Sequence, residues 1–249
     1  MTKIVIGPRS GMYWFPLSAT EIESDFTGAA IAVIRNWAGE YLTAPHPALG
    51  RDGPVCPYAA PSMRRDLMWI GRIPGAHPWP DFVRLVLADA KDLYLGLPPT
   101  GGGAAVLRAL ITVFPDLHDY SLIDELHREL KTGFVELGTM LGQFYPGCAQ
   151  PGLWNKDFHP LDAPIAMLVV RTMMATDFPF LVERPEWMSS YVKKFAPALP
   201  AHVRKAVVSR LIAGRGPEVP VYERESEPAT AAGGGAADKP VRVAPMRAR

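Results

Sequence analysis

Cysteine is scarce in this sequence, which limits the covalent and redox chemistry available to the chain. The 249 residues contain two cysteines, Cys56 and Cys148. Two distant cysteines do not make the disulfide framework of a small secreted domain, and no Cys-x-x-Cys pair is present for a redox centre or a zinc site. We therefore expect both thiols to be reduced and the protein to be cytoplasmic.

Long apolar runs and an excess of one charge are also missing. The longest strongly apolar stretch, Ala163–Val170, has eight residues, whereas a membrane helix needs about twenty. The N-terminal segment MTKIVIGPRSGMYWF has too short an apolar core for a signal peptide. With 26 Lys and Arg against 25 Asp and Glu, the net charge is +1, and no basic stripe is present to neutralise phosphates. We expect neither a membrane nor a nucleic acid as a partner.

Common catalytic signatures are absent as well. The chain has no Gly-x-Ser-x-Gly and no His-Glu-x-x-His, and Gly101–Gly103 is not followed by the lysine of a phosphate-binding loop. The sequence therefore does not predict an α/β-hydrolase, a zinc protease of that class or a P-loop nucleotide-binding protein.

Proline, in contrast, is abundant. Many of the 26 prolines lie between Pro45 and Pro80. Proline lacks a backbone N–H and fixes φ, so much of this segment cannot be helix interior or central strand. Ordered loops on a well-packed scaffold often carry the binding residues of a protein. The loops are therefore the first place to look for chemistry.

The sequence pattern predicts a single globular domain over residues 1–213 and a disordered tail over residues 214–249. A homodimer is a candidate assembly, which the pattern itself does not decide. The tail is rich in Pro, Gly, Ala, Glu and Arg and lacks enough apolar surface to offset the entropy cost of ordering. In the domain, about four to six strands alternate with helices, which predicts an α+β (mixed α/β) fold: one mixed sheet with helices packed on it.

Several element boundaries can be predicted. Ser18 with Glu21 is typical of a capping box and predicts a helix that runs to Gly39. The segment 41–61 is predicted to be an irregular loop. Residues 104–114, 121–132 and 133–144 are predicted as a strand, a helix and a strand, a unit of the kind that makes parallel pairing.

The first candidate site is the loop His46–Tyr58. Prolines on both sides hold Cys56 in an extended segment, where its thiolate could act as a nucleophile or a haem ligand. The alternative is a buried, inert cysteine. His46 is a candidate axial ligand or general base, with a backbone-bonded loop histidine as the alternative. Arg51, between two glycines, could pair with a carboxylate or propionate.

The second candidate site is the loop Gly142–Pro160. It starts where a predicted parallel strand ends, which is where open α/β sheets bind ligands. Apolar rings and polar side chains together are typical of a small-molecule pocket. The alternative is a packed loop over the sheet edge. The candidates are Gln143, Tyr145, Trp154, Asn155 and His159.

Segments of both loops resemble a known group of sequences. HPALGRDGPVCPY, MLGQFYPG, PGLWNKDFHPLDAPIAMLVVRTM and TDFPFL resemble an uncharacterised actinobacterial family found near natural-product biosynthesis genes. A more distant similarity, in the proline-flanked Cys and the later Asn- and Pro-containing loop before an Arg-bearing strand, is to the YqcI/YcgG-type proteins, which include haem-dependent N-oxygenases.

The distant similarity implies a haem b, dioxygen and an electron donor. Cys56 and His46 would be the candidate iron ligands, and Arg51 or Arg171 could pair with haem propionates or a substrate carboxylate. Tyr145 is a further candidate at the cofactor. The leading hypothesis is thus a biosynthetic, haem-dependent oxidoreductase that oxidises a small amine-bearing or amino-acid-like substrate. Two alternatives stay open: a cofactor-free small-molecule binding protein, and a cofactor-free enzyme with Cys56 as nucleophile and His46 or His159 as base.

Overall fold

The computed structural model describes residues 3–19 and 26–213. The predicted tail lies outside these residues, as does Glu21 of the predicted capping box. Within the described part, Ser18 Oγ donates a hydrogen bond to Asp66 Oδ1 at 2.6 Å, and the first described helix begins at Phe26.

Helices and strands alternate along the chain. The strands are β1 (Val5–Ile6), β2 (Tyr13–Pro16), β3 (Met68–Arg72), β4 (Ala109–Phe114), β5 (Thr139–Phe144) and β6 (Ala166–Thr172). The α-helices are α1 (Phe26–Trp37), α2 (Ala59–Arg64), α3 (Pro80–Gly96), α4 (Ser121–Val135), α5 (Pro185–Phe195) and α6 (Ala201–Ala213). The predicted irregular loop at 41–61 is more regular than expected, because a π-helical turn (Ala38–Leu42), a 3-10 turn (Pro47–Leu49) and the start of α2 lie in or next to it.

The strands form one mixed sheet in the order β1-β2-β3-β4-β6-β5. Only β3 and β4 pair in parallel among these neighbours, and the other pairs are antiparallel. A mixed sheet with helices packed on it confirms the predicted fold class. None of the helices in the described residues is long and apolar enough to cross a membrane.

The predicted parallel pairing within residues 104–144 is wrong in one respect. β4 and β5 run in the same direction, but β6 lies between them and pairs antiparallel with both. Central strands need apolar side chains on both faces, and the middle of β6, Met167–Val170, supplies them. The parallel pair is instead β3–β4, and α3 connects its two strands.

Helices cover both faces of the sheet. α3 and α4 pack on one face, around Trp14, Leu110 and Phe114. α1 and α2 pack on the other face, which we call the α1/α2 face, around Ile70, Ile111 and Met167. A third cluster joins α5 and α6 to the β5 end of the sheet through Trp187 and Met188. On this face α1 contacts β3, whereas Phe144 of β5 and Val169 of β6 are only partly buried.

Strand direction separates the candidate residues. β3, β4 and β5 end at one edge of the sheet, where the second loop begins. β6 runs the opposite way, so Arg171 lies at the other edge, paired in register with Ala109 and Met140.

Candidate functional site

The two candidate loops contact each other. Asn155 Nδ2 donates to the Ala48 carbonyl at 2.9 Å, and the His46 ring stacks on Phe158 with centroids 4.7 Å apart. Gly50, at φ 76°, allows close approach of Trp154, whose carbonyl would lie 3.0 Å from a Cβ at that glycine. The second loop therefore fixes the position of the first.

The first loop is closed like a small hairpin. Val55 N donates to the Ala44 carbonyl, and Cys56 N donates to the Leu42 carbonyl. Arg51 stabilises this closure from within, because its guanidinium donates to the carbonyls of Asp52, Pro54 and Val55 at 2.8–3.1 Å. Arg51 is thus engaged in holding its own loop rather than presented to a ligand.

His46 has a local structural role. Its Nδ1 accepts a hydrogen bond from Ala48 N at 3.2 Å. In a neutral ring that bond places the proton on Nε2, so Nε2 donates and does not present a lone pair to a metal. The ring also meets Tyr41 edge-on at 6.1 Å. His46 therefore caps the 3-10 turn and joins an aromatic row.

Gln143 and Tyr145 face away from the first loop. Their side chains lie on the α3/α4 face of the sheet, where both donate to the Asp124 carboxylate, Gln143 Nε2 at 3.1 Å and Tyr145 Oη at 2.9 Å. Tyr145 also stacks on Tyr120, and burial followed by the bond to Asp124 raises its pKa. Both side chains are engaged in attaching β5 to α4.

The remaining candidates of the second loop lie near its surface. Trp154 is 48% exposed, and His159 is exposed. Asn155 is half-buried, with its Oδ1 accepting from Asp157 N at 2.9 Å. These residues shape the loop and its contact with the first loop.

On the α1/α2 face, four residues of β5 and β6 remain partly accessible to solvent. The residues alternate along each strand, and those pointing to the α3/α4 face, such as Leu141 and Leu168, are buried. The half-exposed ones are Gly142, Phe144, Val169 and Arg171. We call the surface formed by these four residues, with Cys56 and Trp37 packed beside it, the β5–β6 cleft.

Arg171 forms a fixed ion pair at one end of the cleft. Its Nη1 and Nη2 donate to the two oxygens of Asp177 at 2.7 and 2.6 Å, and Nη1 also donates to the Thr172 carbonyl. Asp177 is 4% exposed and accepts a further hydrogen bond from Met174 N. Carboxylate and backbone together hold the guanidinium in one orientation.

Arg171 is partly buried and electrostatically coupled to its neighbours. Burial by itself lowers the pKa of Arg171, but the hydrogen bonds and charge of Asp177 raise it more, with further raises from Cys56 and Tyr94. At the same time 40% of its side chain is accessible to solvent. The guanidinium is therefore held by Asp177 but still open to a ligand from solution.

One edge of the guanidinium is available to a ligand. Arginine has five N–H donors in a fixed fork, and Asp177 and Thr172 take three of them. Within residues 3–19 and 26–213, Nε and the second hydrogen of Nη2 have no acceptor. These two donors lie side by side, which is the geometry that binds a carboxylate through two parallel bonds.

Residues 31–206 match a protein family described as a domain of unknown function (DUF6875). That match extends over more than half of the chain. The chain belongs to this family. The DUF6875 region includes both loops, β3 to β6 and the Arg171–Asp177 pair. No curated protein matches the chain, and no solved structure matches it. The similarity to the YqcI/YcgG-type proteins stays a prediction.

The residues of this chain that the sequence predicts around a haem do not lie together in one place. Arg51 and His46 are engaged within the first loop, and Tyr145 lies on the opposite face of the sheet. Only Cys56 and Arg171 share the cleft, and Arg171 already holds Asp177. The residues predicted around a haem thus do not form one site, and we derive no step through a haem. As a separate finding, no group of three or more His, Cys, Asp or Glu side chains that could hold a metal ion is present among the described residues.

Sequence reasoning named Cys56 and Arg171 but missed their surroundings. Asp177 lies in the TDFPFL segment after β6, which carries part of the family resemblance but does not by itself indicate a partner for Arg171. Gly142 and Val169 look like ordinary strand residues. Strand alternation in β5 and β6 was the available signal, but without the strand order it did not reveal which face was left open.

Proposed function

We propose that this protein binds a small organic acid in the β5–β6 cleft, with the ligand carboxylate on the free edge of Arg171. The observation that carries the proposal is a guanidinium oriented by Asp177, 40% accessible, with two adjacent donors unused among the described residues. An amino-acid-like molecule, the substrate class expected from the sequence, has the carboxylate that such a fork recognises.

The test removes the two parallel N–H donors of Arg171 but keeps a positive charge at that position. Arg171→Lys keeps a cation for Asp177 but loses the two parallel donors, and we expect carboxylate affinity to fall by about tenfold or more, since a charge-assisted bidentate contact contributes about 1.5–3 kcal/mol. Binding of hydrocinnamate (a phenyl-bearing carboxylate) is measured by calorimetric titration of the full chain.

Arg84→Lys is the matched control. Arg84 is also 40% exposed and also pairs with carboxylates, Asp81 and Glu129, but it lies on α3, against the opposite face of the sheet. Its replacement is expected to leave the affinity unchanged. Equal affinity in Arg171→Lys and the wild type would contradict the proposal.

Cys56 favours a second candidate function, a cofactor-free enzyme with a thiolate nucleophile. Its side chain is half-buried, and it interacts electrostatically with the Arg171 guanidinium. A nearby positive charge is typical of reactive cysteines. No hydrogen bond joins Cys56 to a histidine in the part of the chain that the structure describes, so the base of such a mechanism would come from the substrate or solvent.

Alkylation separates the two thiols. Burial raises the pKa of Cys148, which is fully buried, so iodoacetamide at neutral pH is expected to modify Cys56 at least about tenfold faster than Cys148. Peptide mass spectrometry over a time course measures both rates, with Cys56→Ser as the control. Similar rates at both sites would argue against a reactive Cys56.

Haem-dependent oxidation stays a prediction. The resemblance implies that the haem-supplemented wild type develops a Soret band that is lost in Cys56→Ala, whereas the separation of the predicted haem residues implies that no such band appears. The absorbance spectrum of the two proteins decides it. Absence of the band in the wild type would leave the organic-acid proposal standing without oxidation chemistry.

A further inference from the structure

Strand register brings Cys56 and Arg171 to the same end of the sheet. Arg171 of β6 lies directly opposite Ala109, the first residue of β4, and such cross-strand neighbours have Cβ atoms about 5 Å apart on one face. Helix α2 begins three residues after Cys56. It is attached just before β4, because Ser62 Oγ donates to the Leu107 carbonyl at 2.6 Å. The segment that carries Cys56 is therefore fixed near the end of β6 that carries Arg171.

The backbone holds the Cys56 thiol in place. Cys56 N donates to the Leu42 carbonyl at 2.8 Å, and the Cys56 carbonyl accepts from Ala59 N at 3.3 Å. The side chain is half-buried and packs against the apolar cluster that includes Ala109. The thiol is therefore presented from a fixed backbone on the α1/α2 face, which is the face that carries Arg171.

The thiol and the guanidinium are complementary in charge, and each keeps an unused group. A Cys56 thiolate raises the pKa of Arg171, as opposite charges close together do. Within the ranges 3–19 and 26–213, no hydrogen bond engages Cys56 Sγ, and Asp177 and Thr172 leave the Nε/Nη2 edge of Arg171 without an acceptor. The pair therefore combines a nucleophile with an anion-binding edge.

We infer that Cys56 and Arg171 form one site for small carboxylic acids that carry an electrophilic carbon beside the carboxylate. The free edge of Arg171 holds the carboxylate, and Cys56 Sγ attacks the neighbouring carbon. This inference rests on the proposed function, because Arg171 binds the acid, and it adds the ligand class and a covalent step. It requires no room for a large ligand, since the carboxylate and the reacting carbon of such an acid are joined by one bond.

Iodoacetate and iodoacetamide form a matched pair of probes for this site. With either reagent the Cys56 thiolate attacks the methylene carbon. An S–C bond forms, the C–I bond breaks, iodide leaves with the electron pair, and the thiol proton goes to solvent. Only iodoacetate carries a carboxylate for Arg171. The ratio of the two alkylation rates therefore reports carboxylate binding beside the sulfur, because the intrinsic reactivity of the thiol affects both rates.

The experiment measures both alkylation rates at Cys56 of the full chain at neutral pH by peptide mass spectrometry, and repeats them on the unfolded chain in concentrated urea. We expect the iodoacetate-to-iodoacetamide ratio to be at least about tenfold higher in the folded protein, because a charge-assisted bidentate contact holds the anion beside the sulfur. Propionate has the carboxylate but no leaving group, so we expect it to slow iodoacetate and to leave the iodoacetamide rate less affected.

Arg171→Lys separates the two parallel donors from positive charge alone. The lysine keeps a cation near Cys56, so a general electrostatic attraction would keep the raised ratio, whereas loss of the paired donors is expected to return it towards the value of the unfolded chain. The melting temperature shows whether the variant is folded, and propionate protection of the wild type tests the same contact without a substitution. Arg84→Lys is the control and is expected to keep the wild-type ratio.

The two proposals fail differently. Suppose that hydrocinnamate binds through Arg171, but the alkylation ratio is equal in the folded and unfolded chain, is kept in Arg171→Lys, or does not respond to propionate. The organic-acid proposal then stands, and the inference about Cys56 is overturned. If no carboxylate binds, or if Arg171→Lys leaves the hydrocinnamate affinity unchanged, the organic-acid proposal fails and the inference about Cys56 fails with it.

Discussion

Replacement of Asp89 by alanine is expected to lower the free energy of unfolding by about 4 kcal/mol, because it removes a buried charge that satisfies several donors. Asp89 lies on α3 with its side chain fully buried. Its carboxylate accepts from Arg9 N, Arg9 Nη1, Ser10 N and Ser10 Oγ at 2.7–3.3 Å. These bonds fasten the β1–β2 turn to the helix.

The tight approach at this turn adds to the expected effect. A Cβ at Gly7 would lie 2.5 Å from Asp89 Oδ2, so the turn is built around the carboxylate. Urea denaturation of the variant measures the loss. Asp92→Ala is the control, since Asp92 bonds Arg9 Nη2 from the same helix but is 47% exposed, and we expect a change of at most about 0.5 kcal/mol. Equal losses in the two variants would contradict the assignment.

The contribution of Asp89 also depends on pH. Burial alone raises its pKa, but the hydrogen bonds from Ser10 and Arg9 outweigh burial and lower the pKa below its usual value. A carboxyl with a lowered pKa in the folded state stabilises the protein above the unfolded-state pKa, and that stabilisation is lost as pH falls through the folded-state pKa. The stability difference between wild type and Asp89→Asn is therefore expected to be constant from neutral pH down to about pH 5 and to shrink below about pH 4.

Arg171→Met is expected to destabilise the protein by about 3 kcal/mol, and Asp177→Ala by only about 1 kcal/mol. The two expected losses of stability differ because the two side chains differ in solvent exposure. Without Arg171, the Asp177 carboxylate stays 4% exposed with Met174 N as its remaining donor. Without Asp177, the guanidinium can be hydrated, because 40% of its side chain is already accessible.

A double variant completes the comparison. Arg171→Met with Asp177→Leu removes both charges, and we expect it to be more stable than Arg171→Met alone, since no buried charge is left unpaired. Chemical denaturation of the three variants gives the coupling energy. A larger loss in Asp177→Ala than in Arg171→Met would contradict the burial argument, and additive losses would show that the pair is not coupled.

The local sequence pattern predicted the position of those helices and strands whose own residues favour one conformation. The strand predicted over 104–114 contains β4 (Ala109–Phe114), and the helix predicted over 121–132 became α4, which begins at the same residue, Ser121. Boundaries were poorer where the pattern changes gradually: α4 continues to Val135 and β5 begins only at Thr139.

The sequence predicted the correct kinds of residue for the site, but it did not predict which of them lie together. Cys56 and Arg171 were both named, but as members of a larger set with His46, Arg51 and Tyr145. Whether a side chain is free for a ligand depends on which backbone and side-chain acceptors surround it. The acceptors of Arg51 and Arg171 lie within six residues along the chain, whereas Tyr145 bonds Asp124, 21 residues away. Spacing alone assigns neither kind of partner, because it does not give the conformation of the loops.

The hydrophobic period and the prolines predict a mixed α+β domain with two loops that carry polar and aromatic residues, because both features act locally along the chain. The strand order could not be predicted in this way, because β6 reaches its place between β4 and β5 through long-range pairing of both its edges. That placement puts Arg171 on one face of the sheet, in register with Met140. It puts Gln143 and Tyr145 on the other face, where both donate to Asp124.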